Sequence, residues 1–383
     1  MHPFHLRLGL LGIAVSSLVA CGDDAGGAGG SGGSTSTSPG TAGAGGGGTG
    51  VGGAGGADVE PAMALVHRVG RFDDSDPERP ASSWSGTSFR TRIDGEELSV
   101  RLDGAAGVFF QIVVDGAPAG RFETGGGEAS YPLVAGLGAG QHDVEIYRRN
   151  EGFFGDVRFL GFEPGGAGEL VLSPSPYAYQ LEFIGDSITC GYGVEGPDEN
   201  CNFSGDTESA YVSYAAIAAR ALGASAHLIA YSGKGVHQNY GGDMTEPMPE
   251  LYGRTLTQDP NLAWDFAAYV PDAVIVNLGT NDFSAPIQGA DFVADYVALL
   301  GEIRGNYPNA AIFCVSWTGW GADNQAHVAT AVQTFGDPGV HEVEFTIDAQ
   351  DGWGCDYHPS VVTHQKLGAQ LAEQITTTLG LRL

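Results

Sequence analysis

Four short runs, widely separated along the chain, carry residue types suited to nucleophilic attack on a carbonyl. Phe183-Ile184-Gly185-Asp186-Ser187-Ile188-Thr189 sets a serine directly behind an apolar, strand-like run. A serine hydroxyl is a weak nucleophile near neutral pH unless a base takes its proton. Gly354-Cys355-Asp356-Tyr357-His358-Pro359 offers that base. Among ten histidines, His358 sits in a loop beside an acid, with Asp356 two residues away to orient and polarise its ring. Tyr231-Ser232-Gly233-Lys234-Gly235 also follows a strand, and Gly233 can turn its N–H toward a reacting oxygen with no Cβ in the way. Asn277-Leu278-Gly279-Thr280-Asn281-Asp282 follows the most apolar strand, and the Asn281 amide could donate to an oxyanion. Taken singly, each run has a plain structural reading: a helix cap, a turn glycine, a turn-forming Asn or Asp, a surface histidine.

The runs need a scaffold that gathers strand ends. Behind Ser173-Pro174-Ser175-Pro176, strands are predicted at 181–184, 227–231, 273–278, 311–317 and 343–347. Helices are predicted between them at 209–222, 292–303, 324–335 and 364–379. Such alternation means a parallel sheet covered by helices, with ligands beyond the C-terminal ends of its strands. All four runs fall at ends of that kind. From Pro61 to Pro174 the texture differs, with Leu98, Val100 and Leu102, then Phe110, Ile112 and Val114, repeating at period two. Asp115-Gly116 reads as a turn, and Val144 with Ile146, then 157–162 and 170–172, continue the theme. The pattern predicts an all-β jelly-roll sandwich at 61–173 ahead of an α/β domain at 177–383.

Together the four runs resemble the SGNH hydrolases, the family of GDSL-type esterases, over about Tyr177 to Leu383. Ser187, Gly233, Asn281 and His358 match its four blocks in order. The resemblance implies an SGNH-hydrolase fold with a flavodoxin-like parallel sheet and helices on both faces. It also implies an acyl-enzyme on Ser187, with His358 as base. The oxyanion hole would be built from the Ser187 and Gly233 N–H groups and the Asn281 amide, and no metal or organic cofactor is called for. The preceding jelly roll, the run GDSITCGYG (185–193) and the run CDYHPS (355–360) resemble carbohydrate esterase family two. That resemblance implies a two-domain acetyl esterase acting on acetylated glycans such as xylan or mannan. One position departs from the SGNH pattern: the orienting aspartate is expected three residues before the histidine, where Cys355 stands. Either Asp356 or a backbone carbonyl then orients His358. Two other readings stay open: a different GDSL-type esterase, such as a lysophospholipase or thioesterase, and a catalytically idle glycan-binding lipoprotein. Trp353 and Tyr357 flank His358, and with Trp317, Trp320 and Tyr192 they could stack on a sugar ring, core packing being the plain alternative.

Composition narrows the partners. With 46 acidic against 17 basic residues the formal charge is −29, which repels phosphate backbones and excludes nucleic acid as an expected partner. It also favours neutral glycans over polyanions. Arg7, the apolar stretch 8–20 and the ending Leu18-Val19-Ala20-Cys21 resemble a bacterial lipoprotein signal, with residues 1–20 removed and Cys21 lipidated. The expectation is an exported lipoprotein at the outer membrane or cell surface, monomeric and touching the membrane through Cys21 alone. Half of 22–57 is glycine, so 21–60 reads as a flexible tether of root-mean-square reach about 30–36 Å. Four further cysteines fit an oxidising compartment, and Cys190 with Cys201 is the first pairing expected, with four buried thiols as the alternative. No Cys or His spacing suggests zinc.

Overall fold

A computed structural model describes residues 62–318 and 324–381. The predicted signal segment, Cys21, the tether and Trp320 lie outside the described residues.

The alternating N-terminal runs form one eight-stranded antiparallel sheet. Its strands are β1 (Val66–Val69), β2 (Ala81–Ser82), β3 (Ser88–Asp94), β4 (Leu98–Val114), β5 (Ala117–Val134), β6 (Gln141–Arg148), β7 (Val157–Pro164) and β8 (Glu169–Val171). They lie in the order β1-β3-β6-β4-β7-β2, with β5 also on β4 and β8 also on β3. The two predicted runs at 98–102 and 110–114 are one strand, β4, continuing across 103–109 with a register shift against β5. Its first half pairs with β7 and its last residues with β6. Their inward side chains, with Phe89 and Phe159, close a core of Val100, Leu102, Phe110, Ile112, Val144 and Ile146. Asp115 and Gly116, at φ of 50° and 80°, make the two-residue turn into β5. β5 escaped prediction because most of its residues are exposed and Gly125-Gly126-Gly127 interrupts any apolar alternation.

The second half of the chain builds a parallel sheet from β9 (Tyr179–Gly185), β10 (Ala224–Ala230), β11 (Ala273–Asn277), β12 (Ala311–Thr318) and β13 (Val340–Thr346). The helices are α1 (Ser187–Cys190), α2 (Tyr214–Ala221), α3 (Met248–Tyr252), α4 (Gly289–Asn306), α5 (Asn324–Phe335) and α6 (Val361–Leu379). Strand order is β10-β9-β11-β12-β13, the flavodoxin-like arrangement. Side chains of β9 alternate between two cores: Leu181 and Phe183 pack toward α2 and α6, Ile184 toward α4 and α5. All five residues of β11 are buried, as expected of a strand covered on both faces. α6 starts three residues earlier than its apolar pattern suggested, because Ser360 caps it by accepting the Thr363 N–H. From β9 the chain passes to β10 on one side and β11 on the other. This reversal opens a crevice at the C-terminal ends of the strands, where Ser187, Gly233 and Asn281 all emerge.

The two sheets are not beads on a string; the described residues of both belong to one compact unit. Trp84, just after β2, is buried in the core beside α3 and α4, and its Nε1 donates to the Thr255 carbonyl at 3.0 Å. Arg71 crosses the same boundary, donating to the Tyr252 and Arg254 carbonyls and pairing with Glu182 on β9 at 3.2 Å, both side chains fully buried. A charge so placed is tolerable only with its partners in reach, so this contact fixes the antiparallel domain against the parallel one.

Candidate active site

Ser187 opens α1 immediately after β9, and its Oγ lies 2.8 Å from His358 Nε2. Asp186 is buried and caps α1, accepting the Ile188 N–H at 3.0 Å. Burial pushes its carboxyl up to about 7, with the Asp282 and Glu151 carboxylates adding to the effect. Gly233 sits at φ 78°, in the left-handed region that favours glycine. Among the described residues no acceptor meets the N–H of either Ser187 or Gly233. Two N–H groups at neighbouring strand ends are therefore unengaged and available to a substrate oxygen.

Asn281 reaches the same place from the loop after β11. Its Nδ2 donates to the Lys234 carbonyl at 2.9 Å and to Asp186 Oδ2 at 3.2 Å. Both of its N–H groups are thus engaged, so it braces the other two loops as well as facing the crevice. Asp282 strengthens the brace by accepting the N–H groups of Val236, His237 and Gln238 at 2.7–3.1 Å. The loops after β10 and β11 are in effect one unit.

The His358 loop corrects two expectations. Its imidazole Nδ1 faces the backbone carbonyl of Asp356 at 3.2 Å, and the Asp356 carboxylate does not reach the ring. Asp356 and Tyr357 both adopt left-handed backbone (φ 52° and 59°), which curls that carbonyl back under the histidine. The carboxylate points the other way, accepting the Tyr192 hydroxyl at 3.0 Å and the Phe203 N–H at 3.1 Å. The site is a Ser–His pair oriented by a carbonyl, with Asp356 acting as a clamp on the 192–203 segment. Burial pushes the His358 pKa down to about 4, against smaller upward pulls from the Asp356 and Cys355 backbone and the Asp356 charge. The ring is neutral at ordinary pH, as a general base must be.

The second correction is the disulfide. Cys201 pairs with Cys355, 154 residues apart, and not with Cys190. Cys190 ends α1 with its side chain in the interior, and Cys314 is likewise a buried free thiol. The bond ties the His358 loop to the 192–203 segment, aided by Asp356 N–H to the Cys201 carbonyl at 3.1 Å. A Cβ on Gly196 would come within 2.4 Å of Cys355 Sγ, so the pairing needs a glycine there.

Of the sugar-platform candidates, Trp317 is excluded. It is 1% exposed within the sheet core, and its Nε1 donates to Asn277 Oδ1 at 2.9 Å. Trp353 is half-buried and Tyr357 is 55% exposed, their rings 6.4 Å apart. Sequence reasoning missed a longer aromatic arc. It runs from His358 to Tyr192 (4.2 Å), Phe203 (4.1 Å further), Phe153 (6.1 Å) and Tyr231 (5.8 Å), ending next to Ser232 and Gly233. Phe153 belongs to the antiparallel domain and is 44% exposed. Beyond Tyr192, already named as a stacking candidate, the hint in sequence was the adjacent Phe153-Phe154 pair.

Comparison with known proteins finds relatives across both domains. A family model for the carbohydrate esterase 2 N-terminal domain matches residues 68–174, and the GDSL-like lipase/acylhydrolase family matches 183–366. The cellulase/esterase CelE of Acetivibrio thermocellus is 42% identical over 321 residues, covering 81% of this chain but 39% of that protein. The chain thus spans about two-fifths of that relative's length. An acetylxylan esterase/glucomannan deacetylase of Cellvibrio japonicus is 28% identical over 335 residues, 82% of this chain and 92% of the relative. A family two carbohydrate esterase from Clostridium thermocellum, solved in complex with cellohexaose, is 41% identical. It superposes with a TM-score of 0.79 over 82% of this chain and 99% of that one. With an antiparallel domain leading into a Ser–His hydrolase domain and these matches across both, the chain belongs to the family two carbohydrate esterases.

Proposed function

We propose that this protein removes O-acetyl groups from glycans through an acetyl-enzyme on Ser187. The observation that carries the reading is the 2.8 Å contact of Ser187 Oγ with a neutral His358, beside two unengaged N–H groups. His358 Nε2 takes the hydroxyl proton as Oγ attacks the acetyl carbonyl. The Asp356 carbonyl steadies the imidazolium through Nδ1–H. The oxyanion meets the Ser187 and Gly233 N–H groups, joined by Asn281 when its 3.2 Å bond to Asp186 is shared with the new charge. His358 then protonates the departing sugar oxygen, and a water attacks by the same route to release acetate.

The names and ligand of the relatives support a β-linked glycan substrate such as acetylated xylan or glucomannan. So do the aromatic arc and the charge of −29, which disfavours polyanions. The antiparallel domain is read as a jelly roll, supported by the long β4–β5 hairpin and the change of partner along β4. Domain limits of 61–173 and 177–383, a lipidated Cys21 at the outer membrane or cell surface, and action as a monomer complete the reading. An acetate-release panel over acetylated xylan, glucomannan and bacterial glycans tests it, with Ser187→Ala as control. Preference for long-chain acyl esters would point to the lysophospholipase or thioesterase reading. Glycan binding without any ester hydrolysis would point to an idle binding protein.

A further inference from the structure

The mechanism leaves one buried cluster unused. Glu151 follows β6 in the antiparallel domain, yet its carboxylate lies wholly inside the molecule, against the parallel domain. Its Oε2 accepts the Ser232 N–H at 2.5 Å, and its Oε1 accepts the Ser232 hydroxyl. Glu208 and Cys190 are buried beside it, with ligand atoms of all three residues within 4.8 Å of one another. That spacing would also suit a cation, but the Ser232 N–H and O–H already aim donors at both Glu151 oxygens.

We propose that Glu151 is a positioning residue for the oxyanion hole, an anchor supplied by the antiparallel domain that fixes Ser232 and, through the next peptide, the Gly233 N–H. The Gly233 carbonyl is held from the far side by the Tyr240 N–H at 2.8 Å. Both flanks of the donor peptide are therefore tied, one to each domain. Glu151 is in turn held by its own backbone, whose carbonyl accepts from Arg148 at 2.8 Å and whose N–H donates to Glu208 Oε2 at 3.4 Å.

Two buried carboxyls this close disfavour being charged together. Glu208 Oε1 has no donor facing it among the described residues. Burial raises both carboxyls, Glu208 well above its usual range with the Glu151 charge adding to it, while hydrogen bonds to Glu151, those from Ser232 among them, limit the rise there. Ser232 gives both of its donors to Glu151, so the pair's negative charge is better held on Glu151 than on Glu208. An oxyanion loop anchored this way is tied directly to the antiparallel domain.

This inference rests on the proposed acetyl-esterase reading, and the experiment separates the two. Glu151→Ala, Glu151→Gln and Glu208→Gln are compared with wild type in kcat and KM on an aryl acetate. Inhibition by an alkylboronic acid, whose tetrahedral Ser187 adduct places an anionic oxygen in the hole, and thermal midpoint are measured alongside. Glu151→Ala is expected to lower kcat about 100-fold, the scale of one lost oxyanion donor, with KM within about twofold. Boronate affinity should fall in parallel with kcat. Glu151→Gln keeps one acceptor for the Ser232 N–H and is expected to lose about tenfold in both kcat and boronate affinity. It carries the test if the alanine variant does not fold. Glu208→Gln, which imitates the neutral acid, should stay within about threefold of wild type. A lower thermal midpoint with kcat and boronate affinity unchanged in Glu151→Gln overturns the proposal, as does a kcat loss that leaves boronate affinity untouched. Wild-type protein that hydrolyses no ester overturns the functional reading and this inference with it. Wild type active beside an unaffected Glu151→Gln overturns the inference alone.

Discussion

Asp356→Asn separates a carbonyl-oriented pair from a Ser–His–Asp triad. In a triad, loss of the carboxylate charge beside the histidine lowers turnover about 10⁴-fold. Here the carboxylate touches Tyr192 and Phe203 and not the ring. Asparagine presents a neutral oxygen to the same two donors, and each hydrogen bond weakens by about 1 kcal/mol when its acceptor loses charge. If the whole of that ~2 kcal/mol were felt in the transition state, kcat/KM would fall about 30-fold. Asparagine also tolerates the left-handed backbone at this position, so the Asp356 carbonyl keeps its place under Nδ1. Steady-state kinetics on an aryl acetate, with circular dichroism to confirm folding, should give a loss below about 30-fold. A loss of 10³-fold or more in a folded variant would show that the carboxylate orients His358, and the carbonyl account would be wrong.

Other outcomes follow from the same geometry. The His358 pKa of about 4 makes the neutral base available above that pH, so kcat/KM should hold down to about pH 5 and fall as pH drops through 4. An acid limb centred near 6.5 would contradict it. The Cys201–Cys355 bond closes a loop of 154 residues, so Cys201→Ser should lose about 5 kcal/mol of stability in a chain-entropy treatment, read from urea midpoints. It should also lower kcat, because the same bond holds the His358 loop. A loss below about 1 kcal/mol would argue against the pairing. Asn281→Ala should lower kcat by ~10²–10³ with the far-ultraviolet spectrum unchanged. An effect on KM alone would remove Asn281 from the oxyanion hole.

The four reactive runs were legible because three couple an apolar strand, and the fourth a loop before the last helix, to residue types that match one family's blocks in order. The parallel sheet followed from the alternation of strands and helices, and its flavodoxin-like order from the family resemblance. What sequence could not show was direction. Cys190 and Cys201 are near neighbours in the chain, but Cys190 turns inward at the end of α1, while Cys201 lies beside the histidine loop. Asp356 stood at a plausible spacing from His358, yet two left-handed residues rotate its carboxylate away. Trp317 ends a strand near the site, but its ring falls on the buried face. Glu151 and Phe153 were invisible for a different reason. They belong to a domain that reads as an independent sandwich, and it is tertiary packing, through Trp84 and Arg71 among others, that brings that domain to the crevice.

Acyl-enzyme trapping tests the central claim most directly. Protein mixed with an acetylated substrate and quenched in acid within the first turnover is digested and its peptides weighed. One acetyl group is expected on the peptide carrying Ser187, absent from Ser187→Ala and much reduced in His358→Ala. Rapid acetate release with no acetyl on that serine, or full release by Ser187→Ala, would contradict the account.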